Sequence, residues 1–305
     1  MLDFLTEPWT YPFMQRAFIE IAIIGIATGL VGCLVVLRGL AFIGDALIHA
    51  VFPGVVLATI LGYDIMLGAF IFGGATALGI GLATRNQRVG HDAAIGVIFA
   101  AFFALGIVII SARRGFAGEV SALLFGNILA ISERDILITA VLAAGVVLTT
   151  LAFLRVFVLI AFDRTLAASS GYPVFRLELL LLLLVTVTVV FSLQAIGNLL
   201  VLSLLVTPAA AARVLSDRLH RMLLLSVLIA VGSGFVGLYV SFHYDLSASG
   251  AIALTTTAIF LLSLVFAPRH GYISQRLQAR RGEHHAHHFH ETHEQSQVEG
   301  LGTRD

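Results

Sequence analysis

Asp45 and His49 are the residues of this 305-residue chain best equipped for chemistry. They sit in the run Gly44-Asp45-Ala46-Leu47-Ile48-His49-Ala50-Val51-Phe52-Pro53-Gly54. On a helix, a spacing of four puts both side chains on one face, about one turn apart. A carboxylate and an imidazole so placed suit a divalent metal, one ligand hard and one borderline, or a proton relay. Two ligands do not close a divalent site, so others must come from elsewhere. The bland alternative is a polar pair that holds two helices together.

Three further groups compete for attention. His91 and Asp92 are adjacent, with Asp92 at an expected helix N-cap, a role that would explain it without a ligand. His243 and Asp245 flank Tyr244 in a turn, either as an entrance site for a cation or as a wet turn. The third group is the C-terminal stretch. It holds His284, His285, His287, His288, His290 and His293, which is six of the 11 histidines, among Glu283, Glu291, Glu294 and Glu299. Clustered histidines bind zinc, nickel or copper. A sensing or buffering role and a passive tail with incidental metal affinity both fit.

The elements that must carry these residues are set by composition. Hydrophobic residues make up 59% and charged residues 12% of the chain, and the mean hydropathy is +0.99. A soluble domain carries about 25% charged residues. Of the charge-free runs, 21–37 comes close to the roughly 20 residues that a span needs, and 65–84, 93–112 and 179–212 reach or exceed it. The first run lacks a cleavage site followed by a polar mature domain, and reads as a span rather than a signal peptide. The single cysteine, Cys33, excludes an intrachain disulfide and reads as a small apolar residue in a span.

Every basic residue is arginine, 18 in all. A Walker A loop needs a lysine, so this chain does not hydrolyse ATP by that machinery. The arginines also orient the chain. Arg85 and Arg88 share one loop, and Arg155, Arg164 and Arg176 flank another. Arg213, Arg218 and Arg221 make a third loop, and Arg269, Arg276, Arg280 and Arg281 follow the last run. The positive-inside rule puts all four in the cytoplasm. Arg113 and Arg114 then fall outside, outweighed by the rest.

With that constraint the chain reads as an all-α polytopic membrane protein of about nine transmembrane helices, at roughly 15–37, 41–62, 65–84, 92–112, 134–160, 175–195, 198–212, 221–242 and 249–267. Residues 1–13, with Trp9 and Tyr11, form an interfacial segment outside. Residues 14–270 form the membrane domain, and residues 271–305 a cytoplasmic His-rich tail of disordered composition. The 34-residue run 179–212 is too long for one upright span, and Gln194, Gly197 and Asn198 interrupt it. Residues 115–133 form an outer loop with a short apolar patch. Gly25-x-x-x-Gly29 and the pair Gly73-Gly74 suit close helix packing. The segment Asp163-Arg164-Thr165-Leu166-Ala167-Ala168-Ser169-Ser170-Gly171-Tyr172 is a polar, helix-compatible cytoplasmic insert, either a docking place for a motor subunit or an ordinary connector.

These residues resemble the membrane permease subunit of the zinc/manganese ABC importers, over about Phe13 to Ala267. The strongest piece is Leu37-Arg38-Gly39-Leu40-Ala41-Phe42-Ile43-Gly44-Asp45 continuing through His49 to Gly54. Further matches, in family order, are 92–99, 124–129, 192–197, Leu204-Leu205-Val206-Thr207-Pro208-Ala209-Ala210 and Tyr244-Asp245-Leu246-Ser247-Ala248-Ser249-Gly250. His91 departs from the pattern, where an acidic residue is more usual, and Ala248 replaces a common proline.

The resemblance implies a fold similar to the vitamin B12 and siderophore (type II) permeases, with one fewer span at the N-terminus. It implies a multi-pass protein of the bacterial inner membrane, N-terminus outside, that imports Zn²⁺ or Mn²⁺ by alternating access. It also implies a second copy of the chain, a cytoplasmic ATP-binding subunit and an extracytoplasmic metal-binding protein as partners. Asp45 and His49 carry over as ligands of the path. Asp163, Arg164, Leu166, Gly171 and Tyr172 carry over as the ATPase docking surface. No permanently bound cofactor is expected, because the metal is cargo. The chain itself is expected not to be an enzyme. A proton- or gradient-coupled secondary carrier is the alternative. The histidine-rich tail tilts the metal modestly toward zinc, since manganese prefers oxygen ligands. A net charge of +0 argues against nucleic acid as a partner.

Overall fold

The structure, a computed structural model, describes residues 6–85, 90–111 and 131–267. The expected outer-loop patch and the His-rich tail, with His284, His285, His287, His288, His290 and His293, lie outside the described residues.

The apolar runs become helices. After a short 3-10 turn, Glu7–Thr10, come α1 (Pro12–Leu37), α2 (Ile43–Ala50), α3 (Phe52–Leu61), α4 (Ile65–Arg85) and α5 (His91–Ser111). Then follow α6 (Glu133–Phe162), α7 (Arg164–Ser169), α8 (Val174–Ile196), α9 (Asn198–Leu215), α10 (Leu219–Tyr244) and α11 (Ala248–Phe266). Among the described residues, eight helical stretches are long and apolar enough to cross a bilayer, counting α2 and α3 together as Ile43–Leu61. The seventh of the nine expected spans corresponds to a shorter apolar helix, Leu200–Leu215.

Local chemistry explains the boundaries. Pro12 opens α1, where its missing N–H costs nothing. The helix ends in a Schellman turn: Gly39 takes φ +68°, its N–H donates to the Val36 carbonyl, and the Leu40 N–H donates to that of Val35. A capping box starts α6, in which the Asp135 N–H donates to Ser132 Oγ and the Ser132 N–H donates to the Asp135 carboxylate. The run 179–212 breaks at Gly197, which alone separates α8 from α9 at φ 80°, ψ 170°.

Two expectations need correcting. Segment 41–62 is not one helix. It breaks at Val51, because Pro53 has no N–H to offer the carbonyl of His49, four residues earlier. Asp92 is not an N-cap: α5 already starts at His91, so Asp92 lies inside the first turn.

Packing follows the small residues. One group joins α1, α9, α10 and α11, and a second joins α3, α4, α5 and α8; α6 packs on α1 and α8, and α2 on α5 and α8. Without a hydrophobic drive between helices in lipid, close approach through small residues holds them together. A Cβ on Gly29 would come to 2.9 Å of Val227 Cα on α10, and Ser226 of α10 donates to the Gly29 carbonyl at 2.8 Å. Gly32 lies against the Leu205 carbonyl of α9, and Gly54 of α3 against the Gly68 carbonyl of α4. The first of the two expected glycine motifs thus serves helix packing. In the second, Gly73 meets Thr186 and Val51, while Gly74 has nothing against it among the described residues.

The N-terminal segment is more than interfacial. Trp9 stacks on Phe18 at 4.6 Å and donates from Nε1 to the Tyr239 hydroxyl at 2.6 Å, which ties the start of the chain to α10.

Candidate functional site

The break at Val51 gives α2 its geometry. This eight-residue helix carries Asp45 in its first turn and His49 in its last, between α5, α8 and α9. Most of its side chains are buried, including Ile43, Leu47 and Ile48. The Asp45 and His49 side chains instead remain 46% and 31% exposed, so both are reachable from one face. Two aromatic rings of α5 wall the histidine. Phe99 and Phe103 meet it edge to face at 5.6 and 5.5 Å, and Phe103 also touches Phe52 beyond the break.

The hydrogen bonding fixes the tautomer. His49 Nδ1 lies 2.9 Å from the Asp45 carbonyl oxygen, which can only accept, so Nδ1 carries the proton and donates. In the neutral ring Nε2 then keeps its lone pair, the arrangement seen in metal-ligating histidines. The Asp45 carboxylate stands 3.5 Å from Nδ1 and completes an imidazole–carboxylate pair. Asp45 and His49 therefore come together as their spacing implies.

The other candidates do not join them. Among the described residues no three of His, Cys, Asp and Glu cluster so as to hold a metal ion. His91 and Asp92 are exposed at the start of α5, about 12 Å along the helix axis from Phe99 by helical rise. His243 donates from Nδ1 to the Tyr239 carbonyl at 2.9 Å and packs against Phe242, while Asp245 sits exposed in a left-handed turn at φ 54°. The pair thus divides between the helix flank and the turn.

The expected docking insert folds into a well-bounded helix. Asp163 caps α7 by accepting from the Leu166 N–H at 2.8 Å. Gly171, at φ +83°, closes it in a second Schellman turn, with Tyr172 N–H on the Ala167 carbonyl. Ala167 is buried, while Leu166, Tyr172 and the neighbouring Phe162 are exposed. Arg164 points back to the bundle and donates to Glu178 Oε2 at 2.9 Å.

Two charged residues matter beyond those singled out from sequence. Glu178 is one. The other is Glu20 of α1, which is fully buried, and neither of its carboxylate oxygens has a hydrogen-bond partner among the described residues. An acid at the head of an apolar run is the signal that could have found it. Since no hydrogen bond of good geometry holds the Glu20 carboxyl, with Thr139 the one side chain placed to donate among the described residues, Glu20→Met is expected to leave thermal unfolding in detergent unchanged or shifted upward. A loss of about 2 kcal/mol or more would reveal a partner for the carboxyl.

Comparison with known proteins identifies the family. Residues 10–267 match the family described as the ABC 3 transport family. The chain is 39% identical over 280 residues to the manganese transport system membrane protein MntC of Halalkalibacterium halodurans, covering 92% of this chain and 96% of that one. It is similar to PsaBC from Streptococcus pneumoniae, solved in complex with Fab, with a TM-score of 0.78 and 34% identity over 90% of this chain and 99% of that one. A metal-chelate type ABC transporter in an inward-facing conformation shares the fold, with a TM-score of 0.67 at 15% identity, over 82% and 85% of the two chains. This polytopic helical chain belongs to the ABC 3 transport family, as a cell-membrane permease subunit of the zinc/manganese importer type that leaves ATP hydrolysis to a separate subunit.

Proposed function

We propose that this permease moves a divalent transition metal into the cytoplasm in an ATP-driven importer, with Asp45 and His49 as its passing ligands. The observation that carries this reading is the His49 ring, held at Nδ1 by the Asp45 carbonyl and sharing a partly exposed face with the Asp45 carboxylate. Binding there is loose, because a conducting site must also release its ion. Two ligands per chain leave the ion partly hydrated unless a second copy adds its own pair, and a homodimer of permeases supplies that pair. The α7 helix, with Asp163, Arg164, Leu166, Gly171 and Tyr172, receives the ATP-binding subunit on the cytoplasmic side. A metal-binding protein delivers the ion at the opposite end, near the N-terminus.

The manganese named for MntC favours Mn²⁺ over Zn²⁺ as cargo, and an aspartate in the path accepts either. His91, Asp92, His243 and Asp245 stand outside the path site, and any role for them is at the two ends. ATP-dependent uptake of Mn²⁺, Zn²⁺ and Fe²⁺ into proteoliposomes holding the full assembly tests the reading. The expected result is ATP-dependent uptake, with Mn²⁺ preferred. Uptake by this chain alone, driven by a pH gradient and indifferent to ATP, would replace it with a secondary carrier.

A further inference from the structure

One carboxylate joins two neighbouring helices, α7 and α8, to the distant end of α1. Glu178, in the second turn of α8, is 9% exposed. Its Oε2 accepts from Arg164 Nη2 of α7 at 2.9 Å, and its Oε1 stands 3.7 Å from Arg38 Nη1. Arg38 is the C-cap of α1 and begins the turn that leads to α2, seven residues before Asp45. A single acid therefore bridges the docking helix and the root of the metal-binding helix.

The two arms differ. The Arg164 arm has hydrogen-bond length, and Arg164 is one-third exposed. The Arg38 arm is longer and more deeply buried, with the arginine side chain only 8% exposed. Arg38 Nη2 is buried without a hydrogen-bond partner among the described residues. Burial pulls the Arg38 guanidinium below its ordinary value, and Glu178 pulls it back up. The inner arm is thus the one with donors to spare and room to shorten. Ion pairs that exchange partners or lengths are a common way for packed helices to hold two arrangements.

We propose that Glu178 is a positioning residue that couples movement of the α7 docking helix to the α1–α2 turn, and through it to Asp45 and His49. The proposal rests on the functional reading above. A push on α7 reaches Glu178 through Arg164. Glu178 then moves with α8 and draws Arg38, so the start of α2 shifts relative to α5.

Removing Glu178 alone strands a buried arginine, which harms folding whatever the role of the link. The test therefore uses two variants in the full assembly, Glu178→Gln and Arg38→Met/Glu178→Gln. The second removes the stranded charge together with the link. Each is measured for thermal unfolding, for ATP hydrolysis and for metal ions taken up per ATP hydrolysed.

The expected result is that the double variant unfolds like the wild type and hydrolyses ATP, yet its uptake per ATP is about tenfold lower, a change of about 1.4 kcal/mol in coupling. If the double variant transports as many ions per ATP as the wild type, Glu178 is structural and the proposal is overturned. If hydrolysis and uptake fall in step, the link serves assembly rather than coupling, which also overturns it. If the wild type shows no ATP-driven uptake, the functional reading falls first and the link with it. The wild-type control therefore separates the two failures.

Discussion

Asp45→Ala with His49→Ala will leave the permease folded in the membrane and remove its metal uptake. Both side chains are partly exposed, and the pair's hydrogen bond ends on a backbone carbonyl that the substitution retains. The buried side of α2, formed by Ile43, Leu47 and Ile48, is untouched. Stability should therefore fall little, by about 1 kcal/mol or less, as for changes at partly exposed positions. Transport should fall far more, because the substitutions delete the carboxylate and the imidazole that replace waters of the passing ion. At about 1.4 kcal/mol per tenfold, the loss of both ligands is expected to lower the initial rate about a hundredfold. Asp45→Asn separates charge from shape: it keeps the volume and should still lose most of the rate. The measurement is metal uptake in proteoliposomes at matched protein. Full uptake by the double variant would mean that the ion passes elsewhere.

The second large effect is structural. Gly54→Ala is expected to prevent the permease from accumulating in folded form. A Cβ at position 54 would run into the Gly68 carbonyl oxygen and approach Phe72 Cβ at 2.9 Å, and a Cβ at position 68 would run into the Gly54 carbonyl. The contact is backbone on backbone, so no side-chain rotation relieves it. The α3 and α4 helices would have to separate, a rearrangement of about 4 kcal/mol or more, at the far end of what single substitutions do. Gly74→Ala is the matched control, because a Cβ there meets nothing within 4 Å among the described residues. It makes the same chemical change in a helix interior and should be neutral or stabilising by up to about 1 kcal/mol. The yield of monodisperse protein and its thermal unfolding in detergent report the contrast. Equal behaviour of the two variants would show that α3 and α4 do not touch as described.

The helices were the most legible part of the chain, because long charge-free runs in an arginine-punctuated sequence have few other solutions. The joint between α8 and α9 was also legible: Gln194, Gly197 and Asn198 interrupt an over-long run. The break at Val51 was not. Pro53 lies inside an apolar stretch, and a proline in a first helical turn looks the same as one that ends the helix before it.

The candidate site was half legible. Asp45 and His49 announce themselves by residue type and spacing. The rings of Phe99 and Phe103 do not, since phenylalanine in an apolar run carries no chemical mark. Glu178 meets Arg38 from 140 positions away, a pairing that local pattern cannot show. Glu20 was visible in principle, but an acid at the head of a span is easily taken for part of its boundary. Whether the insert 163–172 is a docking surface could not be read from its polarity, although its helical form could.

The single-residue joint between α8 and α9 has a genetic consequence. Gly197 holds φ 80° and ψ 170°, a backbone region that is essentially closed to any residue with a Cβ. Every missense change from a glycine codon adds a Cβ. This codon therefore has no neutral missense neighbour, and a saturating mutational screen should find position 197 silent in its synonymous changes and depleted in all the others.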